Sequence, residues 1–308
     1  MKYGRRMKLI DIKNLTKSFG KTKALNNVSF SVADGSIFGL IGSNGAGKST
    51  LLNILSGVYA PDEGNAYLNG RTPYEDLMAK SETAYVSDYP YFFPGASVDS
   101  MAKYYKSLFP TWSDERYTYF KSVFPIDTRQ KISTMSKGMQ RQSAIMLALS
   151  YNPRTILFDE IFDGLDPVIR ELVKKILIDY VSETNATVVI ASHNLRELEG
   201  FCDHIGLLHL GGILMERDID GESMGLYHVQ FILENPDDIA IIKEKLNIVK
   251  ESHQGKMTQL TVRGESEEIM EVINSANPVF TEMLPLTLEE LFISEMEVAG
   301  YDINKFFE

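Results

Sequence analysis

The stretch Ile37-Phe38-Gly39-Leu40-Ile41-Gly42-Ser43-Asn44-Gly45-Ala46-Gly47-Lys48-Ser49-Thr50-Leu51-Leu52-Asn53-Ile54-Leu55 decides the reading of this chain. Its middle, Gly42 to Ser49, fits the phosphate-binding pattern G-x-x-x-x-G-K-[ST] in full. The apolar run Ile37–Ile41 reads as a buried strand leading in, and Leu51–Leu55 as a helix leading out. Glycines at these positions let several backbone N–H groups turn inward, and the helix N-terminus adds positive partial charge. In this arrangement Lys48 reaches the β- and γ-phosphates of a nucleoside triphosphate and the Ser49 hydroxyl ligates Mg²⁺. The plainer alternative is a glycine-rich turn, but Lys-Ser-Thr in register with both flanks favours the phosphate loop.

Composition sets the frame around that loop. A chain of 308 residues fits two domains, and 44% hydrophobic content is ample for their cores. A net charge of −11 argues against a general nucleic-acid surface. The single cysteine, Cys202, excludes an internal disulfide and fits a reducing compartment. No run of 18 apolar residues exists, so no membrane-spanning helix is expected. The basic start Met1 to Lys8 lacks the apolar core of a signal peptide and reads as an exposed lead-in.

Outward from the loop, Lys8–Leu15 and Ala24–Val32 alternate as strands, and Asn65–Leu68 adds a third. These make an antiparallel sheet beside the nucleotide core. Twelve of the thirty-two aromatic residues fall between Tyr89 and Phe124, where Val98–Phe109 and Ser113–Phe124 carry helical spacing. They read as a helical subdomain over about 89–150, its rings divided between its own core and a docking face for a partner helix. Lys137–Ser150 is a helix, Thr155–Phe158 a buried strand and Pro167–Ser182 a helix. Thr187–Ser192 is a second buried strand, Leu195–Phe201 a helix, and Ile205–Leu210 with Ile213–Glu216 a hairpin. Strands alternating with helices predict an α/β domain on a mainly parallel sheet. Past Arg217 the order changes to β-α-β-β-α, over Tyr227–Leu233, Pro236–Leu246, Asn247–Ser252, Met257–Val262 and Ser266–Ala276, with a further helix at Thr287–Met296. That order predicts a small ferredoxin-like α+β sandwich without catalytic groups. The expected domains are 8–217 and 218–308.

Four more constellations stand at useful distances from the P-loop. Asp159-Glu160 ends an apolar strand, where the first acid can hold Mg²⁺ and the second can polarise an attacking water. Ser136-Lys137-Gly138-Met139-Gln140 opens a helix, where Ser136 can cap it and present N–H groups to an anion. Gly164-Leu165-Asp166 follows the acidic pair, and His193 follows the second buried strand.

In this series the chain resembles an ATP-binding cassette (ABC) ATPase, continuously from residue 8 to about 217. The resemblance implies a P-loop NTPase cassette with a mainly parallel core sheet, an antiparallel β subdomain and an α-helical subdomain. Ser136, Lys137, Gly138, Met139 and Gln140 stand where that family has its Leu-Ser-Gly-Gly-Gln signature, with Lys137 departing from the commonest form. Gly164, Leu165 and Asp166 resemble its D-loop, His193 its switch histidine, and Phe19 its adenine-stacking aromatic, with a core phenylalanine as the alternative. After Ala84-Tyr85-Val86 the family places a glutamine that touches Mg²⁺; here Ser87-Asp88 occupies the place, and Asp88 is the expected stand-in. The tail, with Leu286 to Phe292, resembles drug and peptide exporter subunits of the daunorubicin and bacitracin type, and the Trp112 insert and signature variant resemble the YtrB-like group.

The resemblance further implies ATP and Mg²⁺ as ligands, and a head-to-tail homodimer or heterodimer in which the signature acts in trans. Glu160, His193 and Lys48 are then catalytic, while Gly42, Ser43, Asn44, Gly45, Ala46, Gly47, Lys48, Ser49 and Thr50 cradle the phosphates. Separate transmembrane permease subunits would hold the chain on the inner face of the cell membrane. Two other classes stay open. A soluble ATPase switch in translation or repair would carry two cassettes, a coiled coil or zinc inserts, none of which is in the sequence. A binding module without turnover is disfavoured by the intact Lys48, Asp159 and Glu160.

Overall fold

β3 (Ile37–Ile41), β6 (Thr155–Asp159) and β7 (Thr187–Ser192) are buried at every residue. Such continuous apolar runs belong to parallel strands covered on both faces. The computed structural model describes residues 8–218, 225–235, 238–286 and 290. The chain divides after Asp218 into two compact units.

In the first unit a six-stranded sheet runs β5-β6-β7-β3-β8-β9, where β5 is Thr83–Val86, β8 His204–His209 and β9 Gly212–Asp218. All its pairings are parallel except the β8–β9 hairpin. Register is what matters for function. Ile41 pairs with Ser192 and Asp159 with Ala191, so the carboxyl ends of β3, β6 and β7 lie side by side. Ligands of open parallel sheets bind at that edge.

A second, antiparallel sheet runs β2-β1-β4, from β1 (Lys8–Phe19), β2 (Thr22–Ala33) and β4 (Glu63–Leu68). Its Ile10, Ile12, Val28 and Phe30 join Phe38, Leu51, Leu157 and Val189 in one core. Packed in that core is α1 (Lys48–Leu55), the helix that follows the P-loop.

The helical subdomain holds α3 (Val98–Leu108), α4 (Asp114–Val123) and α5 (Lys137–Ser150). Each begins on a serine whose hydroxyl accepts an N–H of the first turn: Ser97 from Ser100, Ser113 from Arg116, Ser136 from Met139. A cap of this kind is worth about 1 kcal/mol. Its aromatics divide. Phe92, Tyr105, Trp112 and Tyr117 pack on the cluster of Val98, Met101, Ile132 and Leu147, and Phe120 and Phe124 are buried. Tyr89, Tyr91, Phe93, Tyr104 and Tyr119 stay exposed.

The remaining helices of this unit are α2 (Leu77–Ser81), α6 (Pro167–Thr184) and α7 (Leu195–Leu198). The short α2, capped by Asp76, has too few residues for a periodic signal. The helix expected over Leu195–Phe201 stops at Leu198, because Gly200 turns into the left-handed region at φ +66°.

The second unit is a four-stranded antiparallel sheet ordered β11-β12-β10-β13. Its strands are β10 (Leu226–Leu233), β11 (Asn247–Gln254), β12 (Met257–Arg263) and β13 (Pro278–Pro285). Helices α8 (Ile239–Lys245) and α9 (Ser266–Ser275) bury Ile242, Ile269 and Ile273 against Val229, Phe231, Leu260 and Val262. This is the ferredoxin-like βαββαβ arrangement, completed by β13, which the sequence pattern did not disclose. A proline at each end masks it, and proline is tolerated there because β13 is an edge strand. The lead-in of residues 1–7 and most of the helix expected at Thr287–Met296 lie outside the described residues. Among those described, no helix is long and apolar enough to cross a membrane.

Candidate nucleotide site

Between β3 and α1 the chain must make a turn that only small residues allow. Gly47 sits at φ +110°, and a Cβ there would lie 2.4 Å from the Ala24 carbonyl oxygen of β2. A side chain would therefore push the loop off the sheet. Gly211, in the β8–β9 turn, donates its N–H to the Ala46 carbonyl at 3.0 Å and braces the loop from the other side. The result is a cavity of about 410 Å³ lined by Ser43, Asn44, Gly45, Gly47, Lys48, Ser49 and Thr50 from the loop, with Asp88, Asp159 and Glu160 opposite.

Lys48 is 5% exposed; its Nζ donates to the Gly42 carbonyl at 2.7 Å and lies 3.2 Å from Glu160 Oε1. Glu160 Oε2 in turn meets His193 Nδ1 at 2.9 Å and accepts the His193 backbone N–H at 3.3 Å. The three residues expected to do the chemistry thus form one chain of contacts across β3, β6 and β7. Glu160 holds a left-handed backbone, φ +51°, and its N–H donates to the Ala191 carbonyl of β7 at 2.9 Å. That conformation costs a glutamate about 1 kcal/mol and aims its carboxylate away from the strand, toward Lys48.

Asp159 ends β6 beneath this chain and is 3% exposed. The Ser49 side chain is near enough to favour the charged form of Asp159, while Asp159 Oδ1 is buried with no hydrogen-bond partner. Burial pushes the Asp159 carboxyl above the usual aspartate range; the charges of Glu160 and Asp88 add to the rise, and Ser49 and Lys48 oppose it. A buried oxygen without a donor, next to a hydroxyl, is a donor set suited to a hard divalent cation.

The signature segment occupies a different place. Lys137 and Gln140 line a second cavity with Tyr89, Asp163 and Gly164. Ser136 and Lys137 are exposed, and Lys137 Nζ lies 6.0 Å from the Tyr89 ring centroid. Gly138 is buried against the D-loop, where a Cβ would stand 2.6 Å from the Gly164 carbonyl oxygen. In that loop Leu165 is buried, and Asp166 caps α6 by accepting the N–H groups of Val168 and Ile169, each at 3.0 Å.

Two of the expected residues have protein neighbours of their own in this structure. Phe19 is 46% exposed, meets Tyr59 edge-on at 5.4 Å, and is not among the residues lining the P-loop cavity. Thr22, Lys23 and Ala24 line it instead. Asp88, expected to stand in as a metal ligand, borders the P-loop cavity but pairs through Oδ1 with Arg141 of α5. Arg141 was not foreseen. Its signal was a charged residue inside a helical run that is otherwise buried, where a guanidinium must find acceptors.

The ABC transporter family model matches residues 25–163, which run from the second strand through the acidic pair. The lantibiotic transport ATP-binding protein SrtF of Streptococcus pyogenes is 31% identical over 213 residues, covering 69% of this chain and 92% of that protein. This chain belongs to the ABC transporter family. It is similar along nearly its whole length to the ABC transporter ATP-binding protein YtrB of Bacillus subtilis, at 24% identity over 93% of this chain and 98% of that one. A solved structure described as the ATP-binding subunit of an ABC transporter shares the fold of 69% of this chain, covering 90% of its own, with a TM-score of 0.64 and 24% identity.

As an ABC ATP-binding subunit the chain is an ATPase that works on ATP with Mg²⁺. Bound Mg²⁺ supplies charge neutralisation at the phosphates, and the residues here that would hold it are Asp159 and Ser49.

Proposed function

We propose that this chain powers an exporter of drug-like or peptide molecules, as a head-to-tail dimer on separate permease subunits at the inner face of a membrane. The observation that carries this reading is that the P-loop and the signature segment line two different cavities, which meet only at Asp88. In one protomer the P-loop cavity holds Lys48, Ser49, Asp159 and Glu160, while Lys137 and Gln140 line another. A triphosphate on the P-loop then lacks a second wall, and a signature segment, with its exposed Ser136 and the amides of α5, supplies one from a partner protomer. The relation to a lantibiotic transport ATP-binding protein supports a peptide-like cargo.

In this reading Glu160 orients the attacking water, and Lys48 and His193 stabilise charge on the transferring phosphoryl group. Lys48 must first exchange Glu160 for phosphate oxygens, which frees that carboxylate for water. The exposed rings Tyr91, Phe93 and Tyr104, with Phe93 and Tyr104 edge-on at 4.9 Å, are the surface on which a permease helix would dock.

The test is light scattering after size exclusion on Glu160→Gln protein, with and without Mg-ATP. A monomer that becomes a dimer only with Mg-ATP supports the composite site. A mass unchanged by ATP, both alone and with the permease, would overturn it.

A further inference from the structure

Arg141 lies in α5, one turn past the signature segment, and its side chain is 8% exposed. One terminal nitrogen donates to the Asp88 backbone carbonyl at 2.8 Å and pairs with Asp88 Oδ1; the other donates to the Asp163 carbonyl. Its acceptors therefore sit on the segment after β5 and on the turn after β6. Asp88, 53 residues away in sequence, borders both cavities.

The charge count at the P-loop makes this pairing consequential. Asp88, Asp159 and Glu160 all line a cavity whose lysines are Lys48 and, at its β2 side, Lys23. A fourth negative group, the triphosphate, enters the same field. An unpaired Asp88 would repel it through a poorly screened, half-buried medium.

We propose that Arg141 is a positioning residue for nucleotide binding: it neutralises Asp88 and holds it as a fixed wall of the cavity, leaving Mg²⁺ to Ser49 and Asp159. The same guanidinium ties that wall to the Asp163 turn beside Gly164, so one buried side chain joins the signature helix to both segments. A buried pair of this kind contributes little net stability but costs much to break on one side only. This inference rests on nucleotide binding at the P-loop cavity.

The experiment is equilibrium binding of a fluorescent ATP analogue to the full chain, in a chelator and across a Mg²⁺ titration. The proteins are the unmutated chain, Asp88→Asn, Arg141→Gln and the double variant, each checked by circular dichroism. Asp88→Asn is expected to leave the Mg²⁺ concentration for half-maximal binding unchanged within about twofold. Arg141→Gln is expected to weaken metal-free binding on the order of tenfold, and the double variant to regain it. A severalfold higher Mg²⁺ requirement in Asp88→Asn would overturn the proposal by making Asp88 a metal ligand. Failure of the double variant to regain binding would overturn it by reducing Arg141 to a structural prop, and so would an Arg141→Gln protein that binds like the unmutated chain. An unmutated chain that binds no nucleotide at all would instead overturn the site reading beneath it.

Discussion

Lys48 Nζ stands 3.2 Å from Glu160 Oε1, so the cation proposed to take phosphate and the carboxylate proposed to orient water hold each other in the P-loop cavity. Both are nearly buried, with side-chain exposures of 5% and 11%. The pair keeps each charge matched, and in the proposed mechanism a phosphate that claims Lys48 releases Glu160 toward the site of attack. Glu160→Gln keeps the shape and the left-handed backbone but loses the charge. ATP hydrolysis is expected to fall about 100-fold or more, with ATP affinity retained, since a positioned base contributes that much. Phosphate release under saturating ATP measures it, and normal turnover in this variant would remove Glu160 from the water-positioning role.

Lys48→Met removes the other half of the pair. Glu160 is then left beside Asp159 without its cation, and phosphate loses its buried donor. Nucleotide binding is expected to weaken by at least about tenfold, the cost of a lost charge-assisted bond. Titration with a fluorescent ATP analogue reads this directly; an unchanged affinity would show that the backbone amides alone hold the triphosphate.

Gly138→Ala tests the contact between signature helix and D-loop. The new Cβ would stand 2.6 Å from the Gly164 carbonyl oxygen, a backbone atom that cannot step aside as a side chain does. Overpacking of this kind costs about 1–3 kcal/mol. The melting temperature is expected to fall by about 2–4 °C per kcal/mol in a domain of this size. Hydrolysis is expected to fall further than ATP binding, because the damaged surface is separate from the P-loop cavity. Equal losses in both would mean that the two regions act as one.

The P-loop was legible because its requirements are local: glycine where a Cβ strikes Ala24, a lysine one turn into the cavity, a serine at the helix start. The parallel core was legible for a similar reason, since β3 is wholly apolar and β6 and β7 carry apolar runs, with polar residues only at their ends. What escaped depends on partners distant in sequence. Arg141 stands out as a charge in a buried helical run, but its partner Asp88 lies 53 residues away and only the fold brings the two together. The strand β13 carries prolines at both ends and exposes Val279, Phe280 and Leu284, so no periodic stripe announces it.

Cys202 is 7% exposed, and burial pushes its thiol well above the usual range, with the Asp203 charge adding to the rise. The thiolate is the reactive form, so the native protein is expected to resist Ellman's reagent at pH 8 and to release one equivalent only on unfolding. Reaction of the native chain at the rate of a free thiol would mean that the strand-end segment holding Cys202 opens readily.

Asp159 makes the sign of a stability effect testable. Its folded pKa is raised, chiefly by burial, so ionisation opposes folding. The stability this group permits is fully present below the ordinary aspartate value and declines as pH rises through the raised one. Above the raised value the ionised carboxylate is a net cost, which a cation bound there would offset. In a chelating buffer Asp159→Asn is expected to melt higher than the unmutated chain at pH 7.5, and the gap to close as pH is lowered through the raised pKa. Adding Mg-ATP reverses the order, because ligand binding stabilises only the chain that can hold the metal. Thermal melts across pH, with and without Mg-ATP, decide it: an asparagine variant that melts lower in chelator at pH 7.5 would mean the Asp159 charge is already well compensated by Lys48 and Ser49.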